Sequence, residues 1–201
     1  MATNTANVSM RIGGLSISAQ ISREAAGQIS QDVSLAAAKT GTLTTRSDDN
    51  TGTLTMTAGH GITTGAIIDV YWATGVQRKI TVGTVSVNSV PFDSGVGDNM
   101  PAQDTAITAC VQTVLDVDFS GDLLVMGGIS GDRRCHFDIQ QNDGTNILAL
   151  ELDAGEGWVW WDTGAVTNPL AGVTVGKIAV TNGDSAGVCK LKVGIQYDSE
   201  S

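Results

Sequence analysis

Proline, charge and aromatic side chains are all scarce in this chain: 3 prolines in 201 residues, 16% charged residues and 4% aromatics. No apolar run approaches the ~18 residues of a membrane-spanning helix. The opening Met1-Ala2-Thr3-Asn4-Thr5 has neither the basic start nor the apolar stretch of a secretory signal. The cysteines, Cys110, Cys135 and Cys189, are odd in number and far apart, which argues against a disulfide framework. They read as reduced, mostly buried thiols of a protein made in a cytosol. The two histidines, His60 and His136, stand in no CxxC or HxxxH spacing, so no zinc ligand set is expected. Basic residues are also few, 11 against 21 acidic ones, for a net charge of −10. A diffuse acidic surface argues against general nucleic-acid binding, because phosphates must be neutralised by Lys and Arg. The basic pairs Arg78-Lys79 and Arg133-Arg134, and the alternating Lys190 and Lys192, read as solvated strand or turn positions.

What the chain has is glycine, 25 residues, and 41% hydrophobic residues, enough for a proper core. The apolar residues recur with period two nearly everywhere, and no segment sustains a helical period. Val8, Met10 and Ile12 alternate, Gly13-Gly14 interrupts, and Leu15, Ile17, Ala19 and Ile21 alternate again: a long strand or a strand pair. Residues 22–28 have the composition of one helical turn, which Gly27 keeps short. Ile29, Val33 and Leu35 mark a weaker segment, and Ala66–Trp72 is a strong strand with a hairpin turn at Thr74-Gly75. Residues 93–101 are turn-rich. From about residue 114, strand candidates recur about every 10 residues with glycine-containing turns between them, the texture of a sandwich or jelly roll. Asp143-Gly144 and Asn182-Gly183 carry two-residue hairpin signals. The expected fold is therefore all-β in three parts: an N-terminal extended β arm at 1–39, a small β-barrel-like domain at 40–113, and a β-sandwich or jelly-roll-like domain at 114–201.

Four groups of residues are candidates for chemistry. Thr57-Ala58-Gly59-His60, Asp104-Thr105-Ala106 and Gly183-Asp184-Ser185-Ala186-Gly187 resemble, in this order, the histidine, aspartate and nucleophile motifs of trypsin-like serine proteases. That resemblance would make Ser185 the nucleophile, His60 its base and Asp104 the orienting acid. Ala186 departs from the family's glycine, and only 16 residues follow Ser185, too few for the strands that family has there. Second, Asp116, Asp118, Ser120 and Gly121 match the start of an EF-hand loop, but its twelfth position is Gly127 where a bidentate Glu is needed. Asp93 and Asp98, or Asp48-Asp49-Asn50, would be further oxygen donors to an ion at a subunit contact; no metal ion is expected. Third, Trp158, Trp160 and Trp161 crowd one strand, with Trp158 and Trp160 on one face and Trp161 on the other. The core would take one face; the other would serve a subunit interface, or a sugar contact with Glu156 and Asp162 beside it. The fourth is His60-Gly61-Ile62-Thr63-Thr64-Gly65, a tight turn in which both glycines allow positive φ.

This last segment, leading into the strand that ends at Trp72, resembles one common in small β barrels of tailed-bacteriophage virion proteins, over about residues 53–111. The resemblance implies a non-enzymatic structural protein, made in the host cytoplasm and carried in the virion. It would act as a capsid decoration (cement) protein or a tail-tube subunit. Expected partners are further copies of itself and other virion proteins such as the major capsid protein, with no nucleic acid, no membrane and no cofactor. From the residues themselves, the assembly element is the arm. Val8, Met10, Ile12, Leu15, Ile17 and Ile21 alternate on strands that cannot bury both faces alone and whose edges invite pairing. A carbohydrate-binding module or adhesin and a serine hydrolase are the alternatives.

Overall fold

A computed structural model describes residues 2–12, 15–25, 27–95, 100–116, 123–141, 143–161, 170 and 175–198. The chain is all-β, with no helix among the described residues. Strands β1 (Ala2–Ile12) and β2 (Leu15–Ala25) form a two-stranded antiparallel ribbon, and β3 (Gly27–Leu35) follows. Strands β4 (Lys39–Arg46), β5 (Thr51–Met56), β6 (Ile67–Trp72), β7 (Gly75–Val82), β8 (Ser89–Asp93) and β9 (Ala106–Val111) close a barrel in the order β4-β5-β8-β7-β6-β9. The remaining strands are β10 (Thr113–Asp116), β11 (Leu123–Gly131), β12 (Cys135–Gln140), β13 (Asn146–Leu152), β14 (Gly157–Trp161), β15 (Lys177–Asn182) and β16 (Cys189–Asp198). The segment at 22–28 is not helical: Ala25 still pairs with Ala2, and β3 begins two residues later.

The barrel interior follows directly from alternation. Leu43, Leu54, Met56, Ile68, Val70, Ile80, Val90 and Phe92 point inward and form one apolar cluster, while the residues between them face out. The ends of the barrel are shaped by turns. Gly61 (φ 72°) and Gly65 (φ 78°) take the left-handed backbone that their positions in the His60 turn suggested.

Beyond the barrel, β3 and the last seven strands form two four-stranded sheets, β10-β15-β12-β13 and β14-β11-β16-β3, every pairing antiparallel. Taken in chain order, these strands lie first-eighth-third-sixth in one sheet and second-seventh-fourth-fifth in the other. That is the strand order of a jelly roll. Its core lies between the sheets and includes Leu35, Phe137, Ile139, Ile178, Val180, Leu191 and Val193.

This topology redraws the sequence division. Residues 27–35, assigned to the arm, are instead the first jelly-roll strand: β3 pairs with β16 from Gly27↔Tyr197 to Leu35↔Cys189. Leu35 is buried in the core and Val33 packs against it, because the apolar alternation of β3, weak as it is, matches that of β16. The barrel is therefore inserted between the first and second jelly-roll strands. Only the β1–β2 ribbon stands as a separate sheet. The Asn182-Gly183 hairpin does not form either: β15 and β16 belong to different sheets, and residues 183–188 cross between them. Asn182 is buried, and its Nδ2 donates to the carbonyls of Ala36 (3.1 Å) and Gly187 (3.0 Å). Its Oδ1 accepts from the Asp184 amide (3.0 Å). The residue ties the crossover to the point where the chain leaves for the barrel. Gly183 is needed for close approach rather than for a turn: a Cβ there would stand 3.2 Å from the Tyr71 ring of the barrel.

Candidate assembly interface

The β1–β2 register answers what alternation alone left open. Val8 pairs with Ala19, Met10 with Ile17, Ile12 with Leu15 and Ala6 with Ile21. Directly paired residues share a face of a sheet. All six predicted arm residues, Val8, Met10, Ile12, Leu15, Ile17 and Ile21, therefore lie on one face of the ribbon, towards the end where Ile12 pairs with Leu15. The opposite face carries Asn7, Ser9, Arg11, Ser16, Ser18 and Gln20. Each strand has 11 residues, so the ribbon is about 36 Å long. Among the described residues neither strand pairs with any strand but the other. An isolated two-stranded hairpin is marginal in water, and stability needs a third strand or a packed face.

The other predicted residues fall in separate places. Trp158, on the edge strand β14, is partly buried and packs against the jelly-roll core. Trp160 occupies the same face of β14 and Trp161 the other, by alternation; their side chains lie outside the described residues. Glu156 is taken up by its own turn, accepting from the Asp153 amide at 3.0 Å, and Asp162 lies outside the described residues. The protease-like residues are not brought together by any hydrogen bond. His60 Nδ1 accepts from the Ile62 amide (3.0 Å) and Nε2 donates to the Val87 carbonyl (2.9 Å), so both ring nitrogens hold a turn. Asp104 sits in the barrel turn before β9, and Ser185 in the jelly-roll crossover. Positions 117–122 of the EF-hand-like loop, and Asp98, lie outside the described residues. Asp48 caps its own hairpin, with Oδ1 accepting from the amides of Asn50 (2.8 Å) and Thr51 (2.6 Å), and Asp49 pairs with Arg46. Asp93 Oδ1 accepts from the Gly95 amide at 2.9 Å.

The polar seam between barrel and jelly roll was not anticipated. Strand β12 reads Cys-His-Phe-Asp-Ile-Gln, an alternation that suggests one wet face, yet all six residues are buried. Cys135, Phe137 and Ile139 face the jelly-roll core; His136, Asp138 and Gln140 face the other way, on the side the barrel covers. The barrel meets them with a β-bulge. Asp69 lies where the β6–β7 register shifts, with Arg78 and Lys79 opposite it and Lys79 at φ 58°. Asp69 is 2% exposed and accepts from Arg78 Nη1 (2.9 Å), from the Lys79 amide (3.0 Å) and, across the seam, from the Thr181 hydroxyl (2.7 Å). Arg78 also donates to the Tyr71 hydroxyl (3.1 Å) and to Glu151 of the jelly roll (3.0 Å). Burial pushes the Tyr71 hydroxyl up to about 12, so it stays a neutral acceptor. Lys79 Nζ donates to Asn146 Oδ1 (2.5 Å) and lies 3.6 Å from Asp138. Arg134 pairs with Glu151, and Arg133 Nη1 with Asp184 at 2.8 Å. Arg78 and Lys79 of the first basic pair are thus not idle solvated positions, whereas Arg133 and the largely exposed Arg134 make ion pairs within the jelly roll. Arg78 and Lys79 are the residues of these pairs that fasten the seam.

Asp138 makes the seam sensitive to acid. Burial favours its neutral form, but the hydrogen bond and charge of His136, the Lys79 ammonium and the Asn146 amide outweigh it and hold the carboxyl below the usual range. Its folded pKa lies below its unfolded value of about 3.9. The stabilisation is therefore present above that value and is lost as pH falls through the folded pKa. Asp138→Asn should flatten this acid limb: denaturant midpoints measured from pH 6 downward should fall less steeply than in the parent. Parallel curves would show that Asp138 does not link the seam to pH.

No family model, curated protein or solved structure matches this chain.

Proposed function

We propose that this chain is a non-enzymatic structural protein of a tailed-bacteriophage virion, which self-assembles through its β1–β2 ribbon as a capsid decoration protein or tail subunit. The observation that carries the assembly reading is the ribbon itself. It is an 11-residue strand pair whose apolar residues near the Ile12–Leu15 end share one face and which pairs with no other strand among the described residues. The apolar face and the unpaired edges are both satisfied when the ribbon lies on, or adds strands to, a second copy of the chain. Closed symmetry then repeats the contact around a ring or trimer. The virion assignment rests on the His60–Gly65 turn and its barrel, supported by a jelly roll, an architecture used in viral capsid domains. Jelly rolls also serve as lectins, and fold alone does not choose between the two. Trp158 packs, partly buried, against the jelly-roll core, which favours the structural reading over a sugar contact.

The test is electron microscopy of the purified full-length protein at several concentrations. Discrete rings, trimers or tubes are expected. A monomer at every concentration would overturn self-assembly through the ribbon.

A further inference from the structure

Two cysteines 54 residues apart in sequence meet inside the jelly roll. Cys135 lies on β12 and Cys189 at the start of β16, in opposite sheets, and their sulfurs are 2.8 Å apart. Both are fully buried, and each sulfur has the other as its hydrogen-bond partner. The space above them is kept by Gly131, where a Cβ would stand 3.2 Å from one sulfur and 3.3 Å from the other. A disulfide needs about 2.05 Å between sulfurs, so closing the bond asks for less than an ångström of movement. The third cysteine is elsewhere: Cys110 belongs to the barrel and points its thiol at the Asp69 carbonyl, 3.7 Å away.

We propose that Cys135 and Cys189 form a redox-controlled staple between the two jelly-roll sheets, open in a thiol-rich cytosol and closed once the protein meets a small-molecule disulfide such as oxidised glutathione. The chemistry is two exchanges. A thiolate of one cysteine attacks a glutathione disulfide, forming a mixed disulfide and releasing one glutathione thiolate. The thiolate of the other cysteine then attacks the protein sulfur of that mixed disulfide and releases the second glutathione. The two protein thiols lose two electrons and two protons, and one glutathione disulfide becomes two thiols.

Placement gives the staple a use. Cys189 is paired with Leu35, the last residue of β3 before the barrel insertion, and Cys135, flanked by Leu152 on one side, is paired on the other with Asn182, whose amide donates to the Ala36 carbonyl. The bond would lock the sheets together where the second domain hangs from them. Burial, and then the hydrogen bond to Cys189, push the Cys135 thiol well above its ordinary range. Only the thiolate reacts. The closed native protein therefore links slowly, through opening of the sandwich, and links readily as it refolds.

The experiment incubates the full chain with oxidised glutathione, both native and during refolding from guanidinium chloride. It then counts thiols under denaturing, non-reducing conditions. The expected product is about 2 Da lighter and titrates one thiol where the untreated chain titrates three. A non-reducing digest should join the peptides of residues 135 and 189. The unfolding midpoint should rise by roughly 10 °C and return on reduction, as expected for closing a loop of this length. Cys110→Ala should link as the parent does, and Cys189→Ala should not. Three free thiols after refolding, a stable glutathione adduct on either cysteine, or a link that includes Cys110 would each overturn the staple.

Discussion

A chain lacking residues 1–26 should remain folded, with circular dichroism and unfolding midpoint close to those of the parent, and should sediment as a monomer at every concentration. The cut removes the β1–β2 ribbon and stops short of β3, so the barrel and the jelly roll each keep all their strands. A chain lacking residues 1–38 should behave differently, losing its fold along with its assembly. That longer cut strips β3 from β16 and takes Leu35 and Ala38, both at most 3% exposed, out of the core. It also leaves the buried Asn182 amide without the Leu35 and Ala36 carbonyls and removes the bond from the Ala38 amide to the Asp184 carbonyl. Losing one buried leucine costs about 2–5 kcal/mol. A buried donor that loses one of its acceptors adds about 0.5–1.5 kcal/mol, and a whole domain has only about 5–15 kcal/mol to lose. Sedimentation velocity and denaturant melts of the two truncations separate these outcomes. If the shorter truncation still assembles, the ribbon is not the assembly element. If the longer one folds as well as the parent, β3 does not belong to the jelly-roll core.

The second large effect is expected at Asp69. Asp69→Ala should destabilise the protein by about 3–5 kcal/mol, the cost of removing one partner from a buried ion pair. The loss extends beyond the Arg78 contact, because the Thr181 hydroxyl and the Lys79 amide lose their acceptor as well. Thr181→Val, which removes a single neutral donor from the same carboxylate, should cost about 1.5–3 kcal/mol. The double variant should cost less than the sum, since both changes break one contact. The location matters as much as the size. Asp69 to Thr181 and Arg78 to Glu151 are bonds between the barrel and the jelly roll. Calorimetry of Asp69→Ala should accordingly split one unfolding transition into two, the barrel melting apart from the jelly roll. A loss under about 1 kcal/mol with a single transition would mean that the seam is fastened elsewhere.

The two predictions draw on different kinds of information, and the difference runs through the whole protein. The ribbon was legible in the sequence. Val8, Met10 and Ile12 alternate, Gly13-Gly14 breaks the run, and Leu15, Ile17 and Ile21 resume it, so the strands follow from local pattern, while the β1–β2 register was needed to put their apolar residues on one face. The barrel strands and the all-β character came from the same period-two signal. The Asp69 seam was not legible. An alternation such as Cys135–Gln140 looks the same whether its polar face meets water or a second domain, because the polar residues that partner a buried carboxylate are those that would suit solvent. Nothing in Arg78-Lys79 taken alone marks it as a clamp rather than a surface pair.

Pairing across distance was equally hidden. Asn182-Gly183 has hairpin composition, but whether β15 turns back onto its own sheet or crosses to the other depends on which strands already flank it. In the jelly roll β15 lies between β10 and β12, so both of its edges are taken and β16 must cross to the facing sheet. The same long-range pairing moved β3 out of the arm and brought Cys135 against Cys189. The sequence by itself determined the all-β class, which residues alternate and where most of the strands lie, since backbone geometry and turn chemistry act over a few residues. Only the tertiary structure decided which strands share a sheet, which polar faces are buried and which thiols meet, because those outcomes depend on edges and faces competing for partners tens of residues away.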